Sequence, residues 1–285
     1  MRVDHTDKVS ASMKMKIVVF LLLTFVWSWL NWGIALFYLK SGVVQDSVTY
    51  FITFFFLGTY GPTLAAIITT VYFEGSIGLR ALLGKLLLWR SSPKVYLAIF
   101  ALPAFFMFLG IFIFHLFVGP VGDINTNKIA LIPSIIGYSI LAGPMGEELG
   151  WRGFLLPKLL EKLSTVKASI LIGLIWCTWH IPLFFGPTGA LISNGDITFL
   201  NVSIYLLATI CLSYLFTYIS AITNASVLIA ILTHLSVNAA LPIFLFPKLT
   251  SPENVLIVFK LTTIPLILFT AYIATKNEIQ KSVEI

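Results

Sequence analysis

The sequence predicts an all-α, polytopic integral membrane protein with about eight transmembrane helices, and three observations support this fold class. Of the 285 residues, 58% are hydrophobic and only 11% are charged, whereas soluble domains carry roughly a quarter charged residues. Several apolar runs exceed the roughly 18 residues that indicate a membrane-spanning helix. These runs lack the alternation of a barrel strand, and backbone polar groups in lipid must then be satisfied within helices.

The apolar runs follow one another along a single predicted domain that covers residues 1–285. The first run, 17–39, contains no charged residue and is too long for the apolar part of a signal peptide, so it is predicted to span the membrane. The sequence shows no internal repeat of the kind that many transporters carry. The remaining predicted spans are 50–72, 95–118, 129–146, 168–185, 199–219, 225–246 and 255–274.

Basic residues predict the orientation of the spans. When the N-terminus is placed in the cytoplasm, most of the 18 lysines and arginines fall on the cytoplasmic side, as the positive-inside rule requires. The net charge of +6 therefore indicates membrane orientation, and no nucleic-acid partner is expected. We expect a multi-pass protein of the cell membrane with both termini in the cytoplasm. The outer side receives only Lys40, Lys128, Lys248 and Lys260.

Three clusters of polar residues interrupt the apolar spans. Ionisable groups inside a bilayer are unfavourable, so their presence indicates a functional role. Counting about 1.5 Å per helical residue from the nearest polar flank places all three clusters near the middle of the membrane. The fourth span must then be long, tilted or kinked, and Pro144 and Pro157 are available for a kink. The clusters contain Glu147, Glu148 and Arg152; Trp176 and His180; and His234 and Asn238.

Helical spacing predicts which of these side chains meet. Glu148 and Arg152 are four residues apart and are expected to pair on one helix face. Glu147 is turned by about 100° from Glu148 on an α-helix, so it can face a different target. His234 and Asn238 are also four residues apart, and both can point at one target.

These groups suit the hydrolysis of an acyl bond, in particular a peptide bond, and two mechanisms remain open. In the first, Glu147 acts as a general base towards a water molecule in a low-dielectric pocket. In the second, Glu147, His180 and His234 hold a divalent metal such as zinc, which activates the water. In both, Asn238 together with a histidine can stabilise the oxyanion. The sequence contains neither the HExxH motif of zinc peptidases nor the GxSxG motif of serine hydrolases.

The clusters resemble the motifs of the CPBP family of intramembrane proteases, which includes CAAX prenyl endopeptidases and bacteriocin-processing or immunity proteins. Three family motifs occur in order on separate predicted spans, and the resemblance covers residues 131–240, the predicted catalytic core. The motifs are EExxxR, here Glu147, Glu148 and Arg152; FxxxH, here with Trp176 in place of Phe and followed by His180; and HxxxN, here His234 and Asn238.

The resemblance implies an active site in a mid-membrane cavity that opens to the cytoplasmic side. It implies that Glu147 activates water with help from His180. It favours this mechanism over a metal site, because two Glu and two His do not form an obvious metal shell once Glu148 is tied to Arg152. The Trp at position 176 is expected to matter little, because either aromatic ring would pack near the histidine.

The resemblance also assigns the remaining groups and the substrate class. It implies that His234 and Asn238 form the oxyanion site, and that Glu148 and Arg152 brace the base. The implied partners are the lipid bilayer and a membrane-associated peptide or lipidated protein as substrate.

Two other functions compete with proteolysis. The chain could be a non-catalytic immunity or scaffold protein that keeps the fold, although such a protein has no need for so many buried polar groups. It could also be a proton-coupled transporter, but a proton relay should distribute its residues across the membrane instead of placing them at one depth. The complete set of motifs therefore favours the endopeptidase.

Overall fold

The computed structural model describes residues 5–41, 47–120, 125–186, 197–245 and 251–283, and within these ranges it contains helices and no strand. The all-α prediction is therefore confirmed; Lys248 lies outside the described residues. Within these ranges, seven helical segments are long and apolar enough to cross a membrane. The α-helices are α1 His5–Ser41, α2 Ser47–Thr59, α3 Gly61–Gly84, α4 Pro93–Phe117, α5 Thr126–Ile129, α6 Ile132–Leu141, α7 Pro144–Glu148, α8 Leu156–Leu160, α9 Thr165–Trp179, α10 Phe199–Ile222, α11 Val227–Leu245 and α12 Pro252–Val283.

The predicted second span differs from the observed helices. The expected run 50–72 is divided at Tyr60, where α2 ends and α3 begins, and Pro62 occupies the first turn of α3. Proline is favoured there because the first helical N–H groups need no partner within the helix. α3 then continues past the predicted end to Gly84, across a kink at Gly75, whose φ is +65°. Glycine accepts this left-handed conformation without the steric penalty of a side chain.

The predicted fourth span is wrong in its form, because the structure breaks it into short segments. α6 ends at Leu141, and α7 begins at Pro144 after a break at Gly143. Residues Leu149–Leu155 then form a π-helix, which leads into α8. Of the three forms that the sequence left open, long, tilted or kinked, the break beside Pro144 agrees with the kinked one, whereas the π-helical turn was not predicted. Such turns occur often at functional sites in helices.

Two glycines allow the broken segment to pack directly on the backbone between α2 and α3. A Cβ added at Gly146 would lie 2.6 Å from the carbonyl oxygen of Thr59. A Cβ added at Gly150 would lie 2.5 Å from the carbonyl oxygen of Pro62. Small residues one turn apart commonly allow such close approach between membrane helices. The two glycines therefore fix the position of the two carboxylates that lie between them, Glu147 and Glu148.

Aromatic rings from α1, α9 and the π-helix form the core behind this segment. The ring centroids of Phe20 and Trp151 are 5.7 Å apart, and those of Phe20 and Phe154 are 4.8 Å apart. Trp32 packs against Trp179 with a centroid separation of 4.6 Å. Large rings with few rotamers hold the backbone of the broken helix in place.

A polar cluster joins α1, α3 and α8. The Glu74 carboxylate accepts from Lys16 Nζ at 3.0 Å and lies 3.6 Å from Lys158 Nζ. Lys85 Nζ donates to the carbonyl oxygen of Gly153 at 2.6 Å. This carbonyl lacks the usual helical donor four residues later, because Pro157 has no N–H. Lys16, Lys85 and Lys158, all predicted to face the cytoplasm, thus lie on one side of the molecule.

Candidate active site

Glu148 lies at the centre of a buried ionic group that joins the broken helix to α11. Its Oε1 accepts from Arg152 at 2.9 Å and from His234 Nδ1 at 2.6 Å. The side chains of all three residues are at most 3% exposed. The pair of Glu148 and Arg152 predicted from their spacing is present, and His234 joins it from the third motif. A carboxylate only accepts hydrogen bonds when ionised, so the His234 Nδ1 carries the proton.

Arg152 is enclosed by aromatic rings on its other side. Its guanidinium carbon lies 4.0 Å from the ring centroid of Phe216 and 4.9 Å from that of Trp176. Cations over aromatic faces are stabilised electrostatically, more strongly where water is excluded. Arg152 is therefore held by Glu148 and by two rings, which suits the predicted bracing role.

Glu147 does not share in this ionic group but is held by two tryptophans. Its Oε2 accepts from Trp176 Nε1 at 2.7 Å and from Trp151 Nε1 at 3.3 Å. The expectation that Trp in place of Phe at position 176 matters little considered only the packing of the ring, whereas the indole N–H also donates to Glu147, which phenylalanine cannot do. Glu147 is 3% exposed, and its second oxygen, Oε1, faces a different set of groups.

His180 is connected to Glu147 through Trp176. Its Nδ1 lies 2.8 Å from the backbone carbonyl oxygen of Trp176, the residue whose indole binds Glu147. Because a carbonyl only accepts, Nδ1 donates, and Nε2 of the neutral ring is an acceptor. The described hydrogen bonds therefore link His180 to the carboxylate only through Trp176, and they do not bring His180 to the position beside Gly143.

Three polar atoms from two motifs converge beside Gly143. A Cβ added there would lie 2.8 Å from Asn238 Nδ2, 3.3 Å from Glu147 Oε1 and 3.5 Å from His234 Nε2. The missing side chain thus leaves a space that is faced by a carboxylate oxygen, an amide donor and an imidazole nitrogen. The expectation that His234 and Asn238 can point at one target agrees with this arrangement. All three atoms lie within 3.5 Å of this one position, so groups of the first and third motifs meet beside Gly143.

The geometry of the site does not bring the proposed metal ligands, Glu147, His180 and His234, together as a ligand set. In the part of the chain that the structure describes, no group of three or more His, Cys, Asp or Glu residues is placed to hold a metal ion. The hydrogen bonds at Glu147 Oε2 and His180 Nδ1 leave Glu147 Oε1, His180 Nε2 and His234 Nε2 as possible ligand atoms, but their residues do not form such a group. The residues present, as arranged here, do not form the closed or nearly closed ligand set of a zinc site.

Sequence reasoning missed two residues of this site, Gly143 and Trp151. Both are separated from Glu147 by four residues, one before it and one after it. Residues at this spacing lie on the same face of a helix. The four-residue spacing that pairs Glu148 with Arg152 also predicts that Gly143 and Trp151 are neighbours of Glu147.

Comparisons with known proteins support the motif assignment. Residues 128–240 match the family model described as Type II CAAX prenyl endopeptidase Rce1-like. The resemblance to the CPBP family is confirmed. A relative, CAAX prenyl protease 2 from Methanococcus maripaludis, is 31% identical over 107 residues, which is 35% of this chain. The chain thus spans 37% of the length of this relative. The residues that the family model matches, 128–240, include every motif residue.

Proposed function

We propose that this chain is an intramembrane endopeptidase that hydrolyses a peptide bond of a membrane-associated peptide or protein. The observation that supports this function best is the convergence of Glu147 Oε1, Asn238 Nδ2 and His234 Nε2 on the space beside Gly143. A general base and an oxyanion donor must both lie within about 3 Å of the reacting atoms. The buried site also excludes bulk water, which strengthens electrostatic interactions within it.

The groups suit a mechanism in which Glu147 activates the water. Glu147 Oε1 takes a proton from the water, and the resulting hydroxide attacks the peptide carbonyl carbon. The carbonyl oxygen becomes an oxyanion, which accepts from Asn238 Nδ2. His234 Nε2 can donate as well when both ring nitrogens carry protons. The protonated Glu147 then transfers its proton to the leaving nitrogen as the C–N bond breaks, so that the carboxylate is regenerated.

The substrate follows from the resemblance and not from the site geometry. The relative is named as a CAAX prenyl protease, and so we propose a lipidated protein or peptide as the first substrate to test. Processing of a bacteriocin-like peptide, or immunity to one, is the second possibility within the CPBP resemblance. Localisation in the cell membrane with cytoplasmic termini is part of the same proposal, because it would place the Lys16, Lys85 and Lys158 side of the molecule in the cytoplasm.

The proposal is tested by measuring peptide cleavage with the purified protein in detergent. A panel of fluorogenic peptides, with and without a prenyl group, is incubated with the protein in the presence and absence of a strong chelator. We expect cleavage that the chelator does not affect. Cleavage that is lost with the chelator and restored by zinc would establish the metal mechanism instead. Binding of the peptides without any cleavage would favour the non-catalytic immunity or scaffold protein.

A methyl group at Gly143 tests the convergence point directly. In Gly143→Ala the new Cβ would displace the Asn238 amide, the nearest group at 2.8 Å. Because this amide is the end of a flexible side chain, we expect the protein to fold. The cleavage rate should fall about 10- to 100-fold, as the oxyanion loses a well-placed donor.

The matched control is Gly137→Ala in α6, since an added Cβ there meets no atom within 4 Å. This variant should retain the wild-type rate. Thermal unfolding in detergent shows whether both variants fold. Equal rates for Gly143→Ala and Gly137→Ala would show that the space beside Gly143 is not used in the reaction.

A further inference from the structure

The two oxygens of the Glu147 carboxylate have different surroundings. Oε2 accepts two indole N–H groups, from Trp176 at 2.7 Å and from Trp151 at 3.3 Å. Oε1 faces the space beside Gly143, together with the Asn238 amide. The donors come from two separate elements, α9 and the π-helix. A single carboxylate is therefore fixed at one oxygen and left available at the other.

The indoles are well suited to holding this carboxylate in one orientation. Trp151 is 0% exposed and Trp176 is 4% exposed, so neither N–H can exchange its partner for bulk water. Indole nitrogen donates and does not accept, which means that it binds the ionised carboxylate without competing for its proton. Hydrogen bonds to an ionised acceptor are about twice as strong as neutral ones. Removing one of them makes the ionised form less favourable and releases the carboxylate to rotate.

Trp176 holds more than the carboxylate. Its backbone carbonyl accepts from His180 Nδ1 at 2.8 Å, and its ring lies 5.4 Å from that of His234. The side chain therefore touches the base, and the same residue orients one histidine and packs against the other. Phenylalanine at this position would keep the ring contacts and the backbone carbonyl but would lose the donor to Glu147.

We infer that Trp176, supported by Trp151, is a positioning residue that fixes the Glu147 carboxylate so that Oε1 is the oxygen which takes the proton from water. This inference rests on the proposed function, because it assigns a role within the same site. It explains why an indole occupies the position at which the family motif has a phenyl ring: here the ring supplies a hydrogen bond.

The test is the Trp176→Phe variant, measured for peptide cleavage across a range of pH. We expect kcat to fall roughly tenfold near neutral pH with little change in KM, because the lost bond is to a charged group. The acidic limb of the rate profile should move to higher pH, so that part of the rate returns in alkaline buffer. A purely structural role for the ring would leave the shape of the profile unchanged.

Two further variants make the result specific. Trp151→Phe should change the rate and the pH profile in the same direction but by less, since the Trp151 hydrogen bond to Glu147 is longer, 3.3 Å against 2.7 Å for Trp176. Trp27→Phe is the control, because the Trp27 indole also donates at 2.7 Å, but to the backbone carbonyl of Leu57. Trp27→Phe should keep the wild-type rate and pH profile.

The outcomes separate this inference from the proposed function. If Trp176→Phe cleaves at the wild-type rate with an unchanged pH profile, while Glu147→Gln is inactive, the positioning role is wrong and the function stands. If the wild-type protein cleaves no peptide, the proposed function itself fails. If the wild type cleaves and Glu147→Gln is fully active, Glu147 is not the base, and the positioning role of Trp176 is wrong as well. Loss of folded Trp176→Phe in detergent would leave Trp151→Phe as the deciding variant, through its pH profile.

Discussion

Replacement of Glu147 by glutamine is expected to lower kcat for peptide cleavage by about 10²- to 10⁴-fold, the range attributed to a general base. The amide has the same shape, and its oxygen can accept the N–H groups of Trp151 and Trp176 as Oε2 does now. Its NH₂ group would then face the space beside Gly143, where no basic oxygen remains to accept a proton. The fold should survive, because both indole donors keep their acceptor and the side chain keeps its shape.

The rate is measured with purified wild-type and variant proteins at equal concentration. Glu161→Gln is the control, since this carboxylate is exposed and removed from the site in sequence, and its rate should equal that of the wild type. Thermal unfolding in the same detergent verifies that both variants are folded. A Glu147→Gln protein that turns over at the wild-type rate would rule out this residue as the base.

Replacement of Arg152 by methionine is expected to destabilise the protein by about 3–5 kcal/mol, the loss typical of breaking one side of a buried ion pair. The Glu148 carboxylate is 0% exposed and would keep only His234 as its partner. Methionine has a similar length and keeps apolar contact with the ring of Phe216, so the effect would come mainly from the missing charge. We expect a lower midpoint of thermal unfolding in detergent and a lower yield of monodisperse protein.

A second substitution tests this explanation. In the double variant Glu148→Gln and Arg152→Met, the amide oxygen can still accept from His234 Nδ1, and no carboxylate is left uncompensated. The double variant should therefore be more stable than the Arg152→Met single variant. Arg80→Met is the control for loss of an exposed arginine. An unfolding midpoint of Arg152→Met equal to that of the wild type would contradict a bracing role for the ion pair.

Much of the site could be predicted from sequence spacing, because an α-helix places residues four apart on one face. The pairing of Glu148 with Arg152 and the common target of His234 and Asn238 both follow from this rule. The three motifs also had to meet, since isolated polar groups in a membrane interior are unfavourable. The identity of the partner motif was harder to predict: nothing in the spacing indicated that His234 would bind Glu148.

The parts that could not be predicted depend on broken helices. A run of apolar residues from 129 to 146 reads as one span, yet Gly143 and Pro144 interrupt it and a π-helix follows. Hydropathy is averaged over about 19 residues, so it does not resolve breaks as short as these. Hydropathy also carries no information about the direction in which a polar atom points. For this reason the N–H of Trp176 could not be distinguished from the rest of its apolar ring.

The missing side chain at Gly143 determines which inhibitors the proposed protease should bind. The space beside it presents a hydrogen-bond acceptor, Glu147 Oε1, next to a donor, Asn238 Nδ2. A tetrahedral centre that offers one O–H donor and one acceptor oxygen, such as the geminal diol of a hydrated ketone, matches both at once. Peptides with this centre should bind about a hundredfold or more tightly than the parent amides, as transition-state analogues do. Such compounds would be selective for this site because residue 143 is glycine and carries no methyl group.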